Sequence, residues 1–143
     1  MMRSESSSRF VVLVLVALLL LCAPHSARAV PRMCPGCGMV GLARGQVLRI
    51  NAAHIGDPNQ QPIQIEMELV DADGGVVARD SQTIEPGHAV HFDVPFEDVG
   101  GAEGRVELRP VVSGGPQPHL RLSLEVFDAD TGKTTVYIGD PGI

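Results

Sequence analysis

The chain contains no tryptophan, one tyrosine and four phenylalanines. A core built on large aromatics is therefore excluded. Sugar-binding sites usually present exposed aromatic platforms, and few rings are available here. Phe92 has inward parity on an alternating stretch, Phe96 falls in a loop, and Phe127 has outward parity. Tyr137 completes the set, which is thin support for a lectin. Cysteine is scarce too. The three are Cys22, Cys34 and Cys37, and none follows Cys37. The Cys–Trp–Cys arrangement of an antibody domain is thereby excluded, and aliphatic packing must hold the core. Hydrolase and phosphate-binding signatures are also missing: there is no G-x-S-x-G, no H-E-x-x-H and no Gly-rich phosphate loop. On these grounds the chain is expected not to be an enzyme.

The longest apolar run is Phe10 to Cys22. It is preceded by Arg3 and Arg9 and followed by Pro24 and Ala27-Arg28-Ala29. A basic start, a short apolar stretch and an A-x-A site are the layout of a secretory signal peptide. A helix of that length reaches about 20 Å, short of the roughly 30 Å hydrocarbon core of a bilayer. Residues 1–29 are expected to be removed on export, leaving no transmembrane anchor. Leu20-Leu21-Cys22 puts a bulky residue where a lipidated cysteine wants a small one, so Cys22 is a poor lipoprotein site. Removing Arg3, Arg9, Arg28 and Glu5 leaves 8 basic and 16 acidic side chains, a net charge of −8 with neutral histidines. An acidic surface repels phosphates, which argues against nucleic acid and anionic lipid as partners.

Residues 30–44 (VPRMCPGCGMVGLAR) hold two prolines and several glycines, with no sustained alternation, and read as a leader loop. From residue 45 to 143 the pattern changes. Ile63, Ile65, Met67 and Leu69 alternate with Gln64, Glu66 and Glu68. That period of two gives one apolar face and one wet face. Similar stretches occur over 46–54, 90–94, 105–112, 120–126 and 134–138, with a less regular one over 76–84 that suits an edge or a bulge. Pro110 cannot donate to a ladder, so its strand is expected at an edge or to end there. About seven short strands with turn signals between them predict a single antiparallel β-sandwich of Ig-like type, with a small barrel as the lesser alternative.

The segments GMVGLARGQVLRIN (Gly38–Asn51), IEPGHAVHFDV (Ile84–Val94), GRVELRPVV (Gly104–Val112) and LEVFDADTGKTTVYI (Leu124–Ile138) resemble those of small secreted bacterial β-sandwich proteins of Ig-like type. The resemblance implies a fold and an export route. It carries no activity and no functional residues.

One constellation could carry chemistry. Met33, Cys34, Cys37 and Met39 place two thiols at C-x-x-C between two thioethers. Soft sulfur ligands suit Cu(I), and C-P-x-C-G is half of a zinc-ribbon knuckle. No second C-x-x-C follows, so a closed zinc site would need dimerisation or a distant histidine. The plainer alternative is a Cys34–Cys37 disulfide in an oxidising compartment. Haem attachment is excluded because Gly38 follows Cys37. His88, His91 and Asp93 form a second group. H-x-x-H on a strand splits its rings between faces, which disfavours chelation. The turns at Asp71/Asp73 and Asp128/Asp130 could hold calcium weakly, but Asp and Gly are also what a hairpin needs for its own geometry. His54 and His119 have no partner that the sequence suggests. The resulting expectation is an exported binding, adhesion or envelope-associated module, periplasmic or extracellular. It would engage a protein or envelope component through strand edges or loops. The alternative is a copper or zinc binder using MCPGCGM.

Overall fold

The computed structural model describes residues 32–33, 38–100, 104–114 and 117–139. The segment expected to be a signal peptide, residues 1–29, lies outside them. Among the described residues nine strands follow one another: β1 (Arg32–Met33), β2 (Val40–Ala43), β3 (Gln46–His54), β4 (Ile63–Val70), β5 (Val76–Ile84), β6 (Ala89–Pro95), β7 (Arg105–Gly114), β8 (Leu120–Asp128) and β9 (Thr134–Gly139). A one-turn helix α1 (Phe96–Val99) links β6 to the stretch before β7, and a 3-10 turn at Gln117–His119 precedes β8. All pairings are antiparallel. One sheet runs β1–β7–β4–β5 with β2 also on β7, and the other runs β6–β3–β8–β9. The molecule is a β-sandwich, as the alternation predicts.

Alternation decides what each strand buries. On β4, Ile63, Ile65, Met67 and Leu69 are buried, and on β8 Leu120, Leu122, Leu124 and Val126 are buried. These two faces meet Leu48, Ile50 and Ala52 of β3 and Leu108 and Val112 of β7 in one core. Every large core contributor but Phe96 is aliphatic or Met, as a chain poor in rings requires. The two look-alike turns use glycine in the same way: Gly74 has φ +89° and Gly132 has φ +69°. Only glycine adopts such values without strain, so DADGG and DADTG both close tight hairpins.

Three expectations are corrected. The leader is not loop throughout residues 30–44, because β2 begins at Val40 and buries Val40 and Leu42 in the core. Four residues, one of them Gly41, are too few for alternation to register. Pro110 neither ends β7 nor puts it at an edge. β7 runs on to Gly114 and lies between β4 and the pair β1/β2. Pro110 is registered against Leu69 of β4, and on the other flank it falls between the two pairings, Val40 with Leu108 and Met33 with Val111. Phe96, expected in a loop, is 3% exposed, since α1 turns it back under the core.

Candidate functional site

The two lateral sides of the sandwich differ. On one, the edge strands are β5 and β6. Cross-strand register places Asp80 beside Met67 and Gln82 beside Ile65, on the inward side of β5. The Gln82 carboxamide donates to an Asp80 carboxylate oxygen at 2.5 Å and to the His91 carbonyl at 3.0 Å, tying β5 to β6 across the gap. Outside, Arg79 reaches Glu68 at 2.5 Å and Glu66 at 3.2 Å. An inward charge and an outward ion-pair cluster both discourage another strand from pairing there.

The opposite side is bounded by β2 and β9, and it stands open. A cavity of about 430 Å³ lies between them, lined by Met39, Val40, Gly41, Ala43, Gln46, Arg105, Val126, Thr135, Val136 and Ile138. Val136 is registered against Val126 and Ile138 against Leu124, so both point inward, yet Val136 is 38% exposed. Neither β2 nor β9 has a strand partner on its outer flank among the described residues. Neither strand carries a charged side chain. The charged group on the lining is Arg105, whose Nε lies 2.8 Å from Glu107 Oε1. Its guanidinium rests over Gly41, where a Cβ would collide with it. A side chain at position 41 would have to push this exposed guanidinium aside.

Of the sulfur constellation, the structure places the two methionines. Cys34 and Cys37 are outside the described residues. Met33 belongs to β1, and Met39, 44% exposed, lies on the groove. β1 and β2 pin the two ends of the segment to Val111 and Leu108 of β7. Those anchors are three residues apart, about 10 Å along a strand. Among the described residues no group of three or more His, Cys, Asp or Glu could hold a metal.

A third arrangement joins residues with no local pattern in common. His54 is buried at the end of β3. Its Nε2 lies 3.3 Å from Gln60 Oε1, and Gln60 Nε2 lies 3.2 Å from His119 Nε2. One carboxamide thus joins two imidazoles. With the amide as placed, His54 donates from Nε2 and His119 accepts at Nε2. His54 Nδ1 is left buried without a partner, as an acceptor. Gly56 leaves the space, since a Cβ there would meet Gln60 Oε1 and approach His54 Nε2 at 2.7 Å. The backbone joins too: His54 N–H donates to His88 O, and Ile55 N–H to His119 O. The only sequence signal was the polar loop GDPNQQP, and nothing marked Gln60 as the residue that bridges.

The remaining candidates have ordinary employment. His91 and Asp93 share the outer face, 4.0 Å apart, but Asp93 belongs to Arg49. Two parallel hydrogen bonds of 2.6 Å join them across β3 and β6. The Arg49 guanidinium also sits 5.0 Å from the centre of the Phe127 ring. The bond from Arg49 holds the Asp93 carboxyl below the usual carboxylate range. Asp71 Oδ1 accepts from the backbone of Asp73 and Gly75. Asp128 Oδ1 accepts from Thr131 N and Oγ1, which lowers its pKa. Both carboxylates are used to hold their own turns.

No protein-family model and no curated protein matches the chain. Among solved structures, the crystal structure of Thermotoga maritima 1070 is similar, with a TM-score of 0.51 and 12% identity over 75% of this chain and 93% of that one. At that identity the likeness concerns the fold alone.

Proposed function

We propose that this chain is an exported, non-enzymatic binding module whose docking surface is the β2/β9 side. It works in the periplasm or outside the cell as an adhesion or envelope-associated piece. The observation that carries the reading is the groove, lined by Val40, Val126, Val136 and Ile138 together with Gln46, Thr135 and Arg105, between two uncharged strands whose outer edges have no strand partner among the described residues. An added strand would satisfy the open backbone groups, and alternate side chains would enter the groove. The export signal in residues 1–29 supports the address, and no helix among the described residues is long and apolar enough to cross a membrane. The test places a photo-crosslinking residue at Tyr137, exposed on β9, or at Ser81 on the closed side, in intact exporting cells. Adducts to a polypeptide from position 137 and not from 81 are expected. Equal labelling from both, or turnover on a hydrolase panel that is lost in Val136→Lys, would overturn the reading.

A second reading is favoured by the flanks of the MCPGCGM stretch, where Met33 of β1 pairs with Val111 of β7 and Met39 lies on the groove. Met33, Cys34, Cys37 and Met39 would hold a soft ion, copper or zinc. Native mass spectrometry of the processed chain decides it. Stoichiometric metal that vanishes in Cys34→Ser and Cys37→Ser supports the site; a loss of two protons with no metal assigns the pair to a disulfide.

A further inference from the structure

We propose that the partner on the β2/β9 side is a second copy of this chain, joined about a twofold axis with its β9 antiparallel to the first. The inference rests on reading that side as the docking surface, and it names the occupant.

Three observations single out a second copy. The first is charge. A chain with a formal charge of −6 repels its own copies over most approaches. The six residues of β9, TTVYIG, and the four of β2, VGLA, contain no acid. Two copies can therefore close on this side without placing like charges opposite each other. The second is the rim. Arg105 and Glu107 sit together beside the groove, one cation and one anion held at 2.8 Å. A twofold interface must be complementary to itself, because each residue that meets another is met by it in return. The Arg105/Glu107 pair meets that demand: the axis brings Arg105 of one copy toward Glu107 of the other, twice. A partner of a single charge sign would gain from one member of the pair and lose to the other. The third is shape. Val136 points inward by register and yet stays 38% exposed, so among the described residues the groove has no outer wall. The same apolar side chains from a second copy supply it, and the two sheets that end in β9 become one continuous sheet. The closed side offers no such match, since Arg79 and Asp80 occupy its edge.

The experiment uses the processed, exported chain in sedimentation and light scattering over a range of concentrations. A reversible dimer is expected. Val136→Lys should weaken it by at least about tenfold by placing an unpaired cation in the contact. Arg105→Glu and Glu107→Arg should each weaken self-association several-fold, because each makes the rim like-charged across the axis. Mixing those two variants should restore association between them, which a folding defect cannot do. Unchanged melting of each variant checks that it is folded. A dimer that ignores Val136→Lys, or a mixture that fails to recover, overturns the proposal. So does a chain that stays monomeric at every concentration. If that monomer still crosslinks another polypeptide from position 137, the docking surface stands and only the second copy is lost. If it crosslinks nothing, both readings fail together.

Discussion

Along the β5/β6 side, the inward positions near the edge carry Asp80 and Gln82, and Gln82 reaches across to the His91 carbonyl. Along the β2/β9 side, the corresponding positions carry Val40, Val136 and Ile138, none of which can make a side-chain hydrogen bond across the groove. Both pairs of edges face the same problem, a row of backbone groups with no neighbour. One pair is closed by polar side chains that make pairing costly. The other is left apolar and uncharged, with a groove between its strands. In one small sandwich the two solutions stand side by side, so the open one is not a general feature of its edges. Neither side lacks a core: Ile84 of β5 and Leu42 of β2 are both buried.

The sharpest test of that last statement is Leu42→Ala. Leu42 is fully buried on the strand that borders the groove. Truncation leaves a cavity and should cost about 2–5 kcal/mol in urea unfolding. Val77→Ala, on the exposed start of β5, should stay within about 0.5 kcal/mol. A small loss at Leu42 would mean that β2 is loosely applied and that the groove reaches into the core.

Gly56→Ala comes next and concerns the pole where β3 ends. The added methyl would displace the Gln60 carboxamide, separating His54 from His119. Leaving a buried imidazole without its partner should cost about 1–3 kcal/mol, read by thermal melting. A similar loss in Gln60→Leu would assign the cost to the bridge, and no loss in either would make it dispensable.

Gln82→Ala attacks the seal itself. It removes the donor to Asp80 and to the His91 carbonyl, for about 1 kcal/mol. Hydrogen exchange should rise in β5 and β6 and stay unchanged in β2 and β9. Faster exchange on all four strands would show that the two sides are not independent.

How much of this was legible beforehand follows from the range of each signal. Six of the longer strands were readable because alternation over five or more residues repeats often enough to be distinguished, and β5 only as an irregular stretch suited to an edge. β2 was not, since its four residues include Gly41 and offer only Val40 and Leu42 as inward apolar positions, and its assignment depends on pairing with β7, 62 to 68 positions away. Pro110 misled because a proline reports a missing donor but not whether a neighbour wanted it. The Arg49–Asp93 pair and the His54–Gln60–His119 bridge join residues 44 and up to 59 positions apart, through register that no local pattern encodes. The outward parity of Phe127 was readable; that a guanidinium would cover it was not. The groove is the extreme case, being a property of which two edges lie opposite each other.

The smallest effect concerns how β6, the closed-side edge of its sheet, is held to β3. Asp93 accepts both hydrogen bonds from Arg49, and this lowers its pKa. A carboxyl whose folded-state pKa lies below its unfolded value, near 3.9, binds protons less readily when folded. Its contribution is complete above the unfolded value and is lost as pH falls through the lowered one. Asp93→Asn should therefore melt below the parent protein at pH 7, and the gap should narrow as the pH falls below about 4. Because the pair lies at the surface, the gap at pH 7 should be small and should shrink further in high salt. On β9 the corresponding tie is a hydroxyl, Thr134 donating to Glu125, with no cation across the ladder. Hydrogen exchange at low pH should loosen β6 before β9 in the monomer. If β9 loosens first, the ion pair is not what distinguishes the closed edge, and the inward Asp80–Gln82 contact alone must account for it.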